Sequence, residues 1–260
     1  MVTRKLAACF DIVNGRVTKA FQFQDNIDVA PADALASEIC AAQIDELIFF
    51  DIYASNEKRQ IDLETVKKVA ERATVPLIVG GGIKDLNDMG ETLKAGADKI
   101  SVDSMAVRNP EIIREGAKAF GSQCIVLSTQ VKRDEGFPSG YQVYIDGART
   151  ATGMDAIEWL KRGEDLGAGE MCINSIDFDG TAQGFDLPLM KKAEEAVRVP
   201  LTASGGAGAP EHLSDLFTQT QAQAAIISSM LYSPRLPRNY TPKELKEFLT
   251  EKGVAIRPFV

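Results

Sequence analysis

The sequence repeats itself at an offset of 124 residues, and no other feature restricts its fold so strongly. Asp45-Glu46-Leu47, leading into the apolar Ile48-Phe49-Phe50-Asp51, returns as Gly169-Glu170-Met171 leading into Cys172-Ile173-Asn174-Ser175. Pro76-Leu77-Ile78 followed by Val79-Gly80-Gly81-Gly82 returns as Pro200-Leu201-Thr202-Ala203 followed by Ser204-Gly205-Gly206-Ala207. A single offset relates both pairs of motifs, so the chain reads as two similar halves. Short apolar runs alternate with amphipathic stretches along its whole length, the pattern of parallel strands joined by crossover helices. Strands are expected at 6–11, 46–51, 76–80, 99–102, 124–128, 170–175, 200–203 and 224–228, and helices at 31–42, 61–72, 84–95, 110–120, 154–166, 187–197, 210–221 and 241–252. Eight such units in 260 residues without a linker predict one domain, residues 1–260, an α/β (β/α)8 TIM barrel of two half-barrels.

Two connections are longer than the rest. The segment 13–29 carries Asn14-Gly15-Arg16 and Lys19 and is expected to form a mobile lid. The segment 131–152, with Gly136, Pro138, Gly140 and Asp146-Gly147, is expected to form a hairpin insertion.

A hydrophobic content of 45% with 25% charged residues suits a protein with a large core. The net charge of -8 argues against nucleic acid or an anionic membrane as partner, since both need a basic face. Met1-Val2-Thr3-Arg4-Lys5 runs straight into a strand-like segment with no apolar signal region, and no run of about 18 apolar residues occurs, so a soluble, cytoplasmic protein is expected. Cys9, Cys40, Cys124 and Cys172 lack C-x-x-C spacing and read as buried, reduced thiols. His212 is the only histidine, which removes histidine triads and multi-histidine metal sites; no metal and no cofactor are expected.

In a barrel of this kind chemistry belongs to the loops that follow the strands. Gly80-Gly81-Gly82 and Gly205-Gly206 offer bare backbone N–H groups, and Ser101, Ser104, Ser228 and Ser229 add hydroxyls near the next strand ends. Repetition of this combination points to two phosphates on one elongated substrate, against the plainer reading that the glycines only make tight turns. Asp11, Asp51, Asp103, Asp177 and Asp179 are the acidic candidates at strand ends. Asp11, among apolar neighbours, is the candidate general base, and Lys19 is placed to bring a positive charge over an anionic substrate. At the opposite strand ends, Lys5, Glu46, Lys99 and Glu170 are expected to meet as a ring of alternating charge on the barrel bottom.

Cys9-Phe10-Asp11, Gly15-Arg16-Val17 with Lys19, Asp45-Glu46-Leu47, Phe50-Asp51-Ile52, residues 79–83, Gly96-Ala97-Asp98-Lys99, Ser175-Ile176-Asp177-Phe178-Asp179-Gly180-Thr181 and residues 203–208 together carry a resemblance over essentially the whole chain. The chain resembles the cyclase subunit of imidazole glycerol phosphate synthase, the HisF family of histidine biosynthesis. That resemblance implies a lyase that binds a substrate with a phosphate at each end. It also implies a glutaminase partner on the barrel bottom, whose ammonia passes a gate of four charged residues. On this resemblance Asp11 corresponds to the general base and Lys19 to a first-loop lysine. Gly82, Asp103 and Ser104 correspond to one phosphate site, and Asp179, Gly180, Gly206, Ser228 and Ser229 to the other. Asp51 and Asn174 would contact substrate. Lys5, Glu46, Lys99 and Glu170 match the gate, and Asp98 matches a residue facing the glutaminase.

The chain departs from the family pattern on the substrate face. The family's general acid is an aspartate after the fifth strand, whereas here Ser128-Thr129-Gln130-Val131-Lys132 places an amide at that position. Asp103 stands where the family has asparagine, Asn174 replaces a threonine, and Phe178 replaces an arginine. Losing a general acid typically costs about 10² to 10⁴-fold unless another group substitutes. Three readings follow. One is a cyclase that yields imidazole glycerol phosphate and aminoimidazole carboxamide ribonucleotide. Another is a diverged paralogue that conducts ammonia to a separate amidating enzyme. The third is a different phosphosugar lyase or isomerase on the same scaffold.

Overall fold

The computed structural model describes residues 3–21, 24–54 and 59–259, without the side chains of residues 20–26. Met1 and Val2 of the amino terminus and residues 22 and 23 of the first long connection lie outside the described residues. Strands are β1 (Lys5–Val13), β2 (Arg16–Phe21), β3 (Gln24–Pro31), β4 (Glu46–Asp51), β5 (Leu77–Gly80), β6 (Lys99–Val102), β7 (Ile125–Arg133), β8 (Tyr141–Ile145), β9 (Thr150–Asp155), β10 (Glu170–Ser175), β11 (Leu201–Ser204) and β12 (Ala224–Ile226). Helices are α1 (Ala32–Ala41), α2 (Leu63–Ala70), α3 (Leu86–Lys94), α4 (Ser104–Arg108), α5 (Glu111–Phe120), α6 (Ala156–Leu166), α7 (Leu187–Ala196), α8 (Pro210–Gln219), α9 (Ser228–Tyr232) and α10 (Pro242–Glu251).

Eight strands pair in parallel around a closed circuit, β1-β4-β5-β6-β7-β10-β11-β12 and back to β1. This is the predicted (β/α)8 barrel, and its eight strands lie within a few residues of the expected positions. The other four strands are antiparallel excursions. β1 and β2 are joined by Asn14-Gly15, both at positive φ (49° and 76°), which is the two-residue hairpin turn favoured by the right-handed twist of paired strands. The connection expected to be a mobile lid is therefore a β-ribbon hydrogen-bonded to the barrel wall, with β3 antiparallel to β2. The second insertion is a hairpin as expected: β8 pairs with β7 and β9 with β8 through a turn at Asp146-Gly147.

The side chains of a strand alternate between faces, so each barrel strand sends one set outward to the helices and one set inward. Leu6, Ala8, Phe10 and Ile12 of β1 join the large core beneath the helices, whereas Ala7 and Cys9 belong to a separate inner cluster with Ile48, Ile78, Val126, Cys172 and Ile226. The same alternation stacks Lys5, Ala7, Cys9 and Asp11 from bottom to top on β1. It does so for Glu46, Ile48 and Phe50 on β4, and for Glu170, Cys172 and Asn174 on β10. The barrel interior is thus layered: charged at the bottom, apolar in the middle, polar at the top.

The 124-residue repeat reappears as structure. α4 and α9 begin at Ser104 and Ser228 and have equal length. Asp62 and Asp186 are both N-caps, accepting from Thr65 N and Leu189 N, so the same carboxylate stops the loop and starts the helix in each half. At the barrel bottom Asp45 and Asp98 each accept the backbone N–H of the neighbouring strand, Leu6 at 2.9 Å and Leu77 at 2.8 Å. The buried Lys246 of α10 reaches Asp45 Oδ1 at 2.6 Å and ties the last helix to the first barrel seam.

Candidate active site

At the bottom, Lys5 Nζ lies 2.7 Å from Glu46 Oε1, and Lys99 Nζ bridges Glu46 at 3.4 Å and Glu170 at 2.7 Å. The four predicted gate residues are brought together as an arc; among the described residues no ion pair closes it between Lys5 and Glu170. Thr202 donates to Glu170 Oε1 at 2.9 Å, and Glu46 Oε2 is buried without a hydrogen-bond partner among the described residues. Burial disfavours the Lys99 charge, but Glu170 and Glu46 outweigh it and hold its pKa above the ordinary lysine value. Asp98, exposed at the rim of this end, spends one carboxylate oxygen on Leu77 N.

At the top, a cavity of about 230 Å³ is lined by residues from every barrel strand or the loop that follows it. On one wall Lys19 Nζ of β2 stands 3.5 Å from Asp11 Oδ2, with Asp179 also lining the cavity. The hairpin turn at Asn14-Gly15 folds Lys19 back over Asp11, which explains how a loop lysine reaches a strand carboxylate. Burial opposes the Lys19 charge, yet the carboxylates of Asp11 and Asp179 raise its pKa, so it stays cationic at neutral pH. Burial raises the Asp179 pKa, and Lys19 pulls the other way.

On the other wall Asn174 Nδ2 donates to Gln130 Oε1 at 2.8 Å, and Gln130 Nε2 donates to Asp103 Oδ2 at 3.4 Å. Burial pushes the Asp103 carboxyl up to about 7. Cys9 and Cys172 also face the cavity. Burial raises the first thiol well above its usual range and the second to about 12, so neither offers a thiolate. Among the described residues no group of three or more His, Cys, Asp or Glu side chains is arranged to hold a metal ion.

The two glycine loops match in geometry. Gly81 and Gly205 share a φ of 93°, and a Cβ at either would fall within 3 Å of a backbone oxygen, that of Asp51 or Ser175. Close approach of the backbones therefore accounts for these glycines by itself. Gly81, Gly82, Asp103 and Ser104 line the cavity in one half; in the other, Asp179, Ser204 and Ser228 do, while Gly180, Gly206 and Ser229 do not. The N–H groups of the first two residues of α4 and α9 have no intrahelical acceptor. Ser228 has a structural duty as well: its hydroxyl accepts from Cys9 N at 2.7 Å and donates to Cys9 O at 2.9 Å. The Ser101 hydroxyl lines the cavity, buried and without a partner among the described residues.

Asp51 also lines the cavity, but its carboxylate is engaged by Arg59 at 2.6 and 2.7 Å and by the N–H groups of Ala54 and Asp62. Asp177 is exposed and accepts from Arg133 N. Asp186 was not among the sequence candidates, yet it is a hub: Arg133 binds it in a fork at 3.2 and 3.0 Å, and the Tyr141 hydroxyl and Leu189 N donate to it. Its signals in the sequence are its place 124 residues after Asp62 and its position just before the helix expected from residue 187, with Pro188 in the first turn.

The family model described as "Histidine biosynthesis protein" matches residues 5–237. The chain is 46% identical over 260 residues to the imidazole glycerol phosphate synthase subunit HisF of Desulfosudis oleivorans, covering 99% of both chains. It is 45% identical to the HisF subunit of Desulfatibacillum aliphaticivorans, covering 99% of this chain and 98% of the relative. To that of Prochlorococcus marinus it is 42% identical over 258 residues, with 99% of each chain covered. With a closed eightfold barrel, a charged floor and a polar mouth matching those expected of the family, the chain belongs to the HisF family of histidine biosynthesis proteins.

Proposed function

We propose that this protein is the cyclase subunit of a glutamine-dependent, cytoplasmic imidazole glycerol phosphate synthase. Ammonia from a glutaminase docked on the barrel bottom would convert a phosphoribulosyl-formimino aminoimidazole carboxamide ribonucleotide to imidazole glycerol phosphate and aminoimidazole carboxamide ribonucleotide. The observation that carries this reading is the layering of the interior. A Lys5–Glu46–Lys99–Glu170 arc at the floor, an apolar layer of Ala7, Ile48, Ile78 and Val126, and a polar cavity lie on one axis. Neutral ammonia crosses an apolar layer, whereas ammonium pays for desolvation there.

At the mouth of the barrel the Gly81-Gly82 loop with Ser104, and the Gly205-Gly206 loop with Ser228 of α9, are the supports for the two phosphates. They lie in register across the half-barrel repeat, which suits a substrate with a phosphate at each end. Lys19 stands 3.5 Å from Asp11 at the substrate's edge, and Asp11 takes protons from nitrogen. The full-length match to HisF subunits favours this reading over an ammonia conduit or another phosphosugar enzyme.

The test is turnover of the phosphoribulosyl-formimino substrate in excess ammonium at mildly alkaline pH. The wild type forms both products, and Asp11→Asn loses about 10² to 10⁴-fold. An unchanged rate in Asp11→Asn would remove Asp11 as the base, and an inactive wild type would remove the cyclase reading.

A further inference from the structure

The cyclase reading leaves one wall of the cavity without an assigned proton donor. Barrel closure places β7 diametrically opposite β1, with three strands between them in either direction. Register makes the relation closer. Asp11 pairs with Phe50 on the next strand, and Gln130 pairs with Asn174, 124 residues after Phe50. Gln130 is therefore the half-barrel counterpart of Asp11, and its amide carries no proton that titrates near neutral pH.

The carboxyl on that wall comes from the adjacent strand. Lys99 and Ser101 point inward from β6, and Asp103, two residues further on, continues the alternation into the cavity. We propose that Asp103 is the proton donor of the ammonia-addition step, a catalytic residue oriented by the Asn174–Gln130 amide pair; the assignment rests on the cyclase reading.

The other carboxyls near this wall are committed elsewhere. Asp146 is paired with Arg108 at 2.6 and 2.7 Å, Asp51 with Arg59, and Asp177 lies outside the cavity. Among the described residues Asp103 forms no ion pair, and Gln130 Nε2 is its side chain's hydrogen-bond partner, on Oδ2. That leaves Oδ1 to carry a proton toward the substrate. Burial places the carboxyl near 7; Gln130 and Arg108 draw it down, and Asp146 pushes it up. Across the cavity stand the Asp11–Lys19 pair and Asp179, and on its own side the protonated Cys172 thiol of β10. A donor half-protonated at neutral pH meets the requirement of a general acid.

In the step itself, ammonia nitrogen bonds to the ketose carbonyl carbon as the C=O π pair moves to oxygen. That oxygen takes the Asp103 proton, and Asp11 takes one proton from the new ammonium, giving a neutral carbinolamine. Dehydration then resets both groups. Asp11 returns its proton to the departing hydroxyl as water leaves, the nitrogen lone pair closes the C=N bond, and Asp103 recovers a proton from nitrogen.

The experiment is the pH profile of kcat/KM for the phosphoribulosyl-formimino substrate, at constant free ammonia, for the full-length wild type, Asp103→Asn and Asp103→Asn/Gln130→Asp. In the wild type kcat/KM falls as pH rises above about 7. Asp103→Asn loses about 10² to 10⁴-fold in kcat, with KM within about threefold, and this limb vanishes. The double variant, which returns a carboxyl to the same wall, regains at least about tenfold. Activity of Asp103→Asn within about threefold of wild type, or a loss confined to KM with the limb intact, would overturn the assignment. An inactive wild type is a distinct result: it overturns the cyclase reading, and the assignment falls with it.

Discussion

The Asp103 carboxyl sits in a place that stabilises its neutral form. Burial removes water from it, and the single N–H from Gln130 at 3.4 Å is a weak substitute. Its folded pKa of about 7 lies above the ordinary 3.8, so between those values the folded state binds more protons than the unfolded one. The contribution of this one carboxyl to stability is then fully present below about pH 4, is lost as pH rises toward 7, and stays lost above it. Asp103→Asn keeps the shape without the charge. Its stability advantage over wild type is expected to open across that window, reaching at most about 4 kcal/mol by pH 7 to 8. Urea unfolding at pH 5 and pH 8 checks this; a gap that does not widen at the higher pH contradicts the burial of the charge. The sequence displayed every residue of this wall, but not that Gln130 bridges Asn174 and Asp103. That contact joins three strands, and only barrel closure brings them together.

Individual elements were legible where local chemistry decides them. Strand and helix positions followed the apolar periodicity, and the hairpin after β7 followed its Gly, Pro and Asp-Gly signals. The first connection is a β-ribbon, a form that its Asn14-Gly15 turn signal announces and its length alone does not. Asp186 shows the limit from the other side. A single carboxylate caps α7, anchors Arg133 at the end of β7 and receives the Tyr141 hydroxyl of β8, so it fastens the inserted hairpin to the barrel. Burial and the nearby Asp186 charge push Tyr141 up to about 12. Asp186→Ala removes the cap and leaves the Tyr141 hydroxyl unsatisfied, an expected cost of about 2–4 kcal/mol. Asp62→Ala, which removes a cap from a more exposed site, is expected to cost about 1 kcal/mol. Equal losses in denaturant titrations of the two variants would contradict the hub role of Asp186.

Across the whole molecule the 124-residue repeat is the half-barrel repeat, and its effect is to give one barrel two kinds of end. Glu46 and Glu170 open equivalent strands and hold the floor arc, while Gly81 and Gly205 close equivalent loops at the mouth. Between them the inner layer of Ala7, Ile48, Ile78 and Val126 passes a neutral molecule more readily than an ion. The division of the 124-residue halves into floor and mouth was visible from the sequence. The inner apolar layer was not, because whether a strand residue faces inward or outward depends on how the sheet closes. The central claim, that ammonia enters at the floor and reacts at the mouth, is tested most directly by isotope origin. The protein is combined with a HisF-partner glutaminase, glutamine labelled with ¹⁵N in the amide, the phosphoribulosyl-formimino substrate and an excess of unlabelled ammonium. Imidazole glycerol phosphate carrying predominantly the glutamine label is the expected result. Product whose label matches the diluted bulk pool would contradict passage through the barrel.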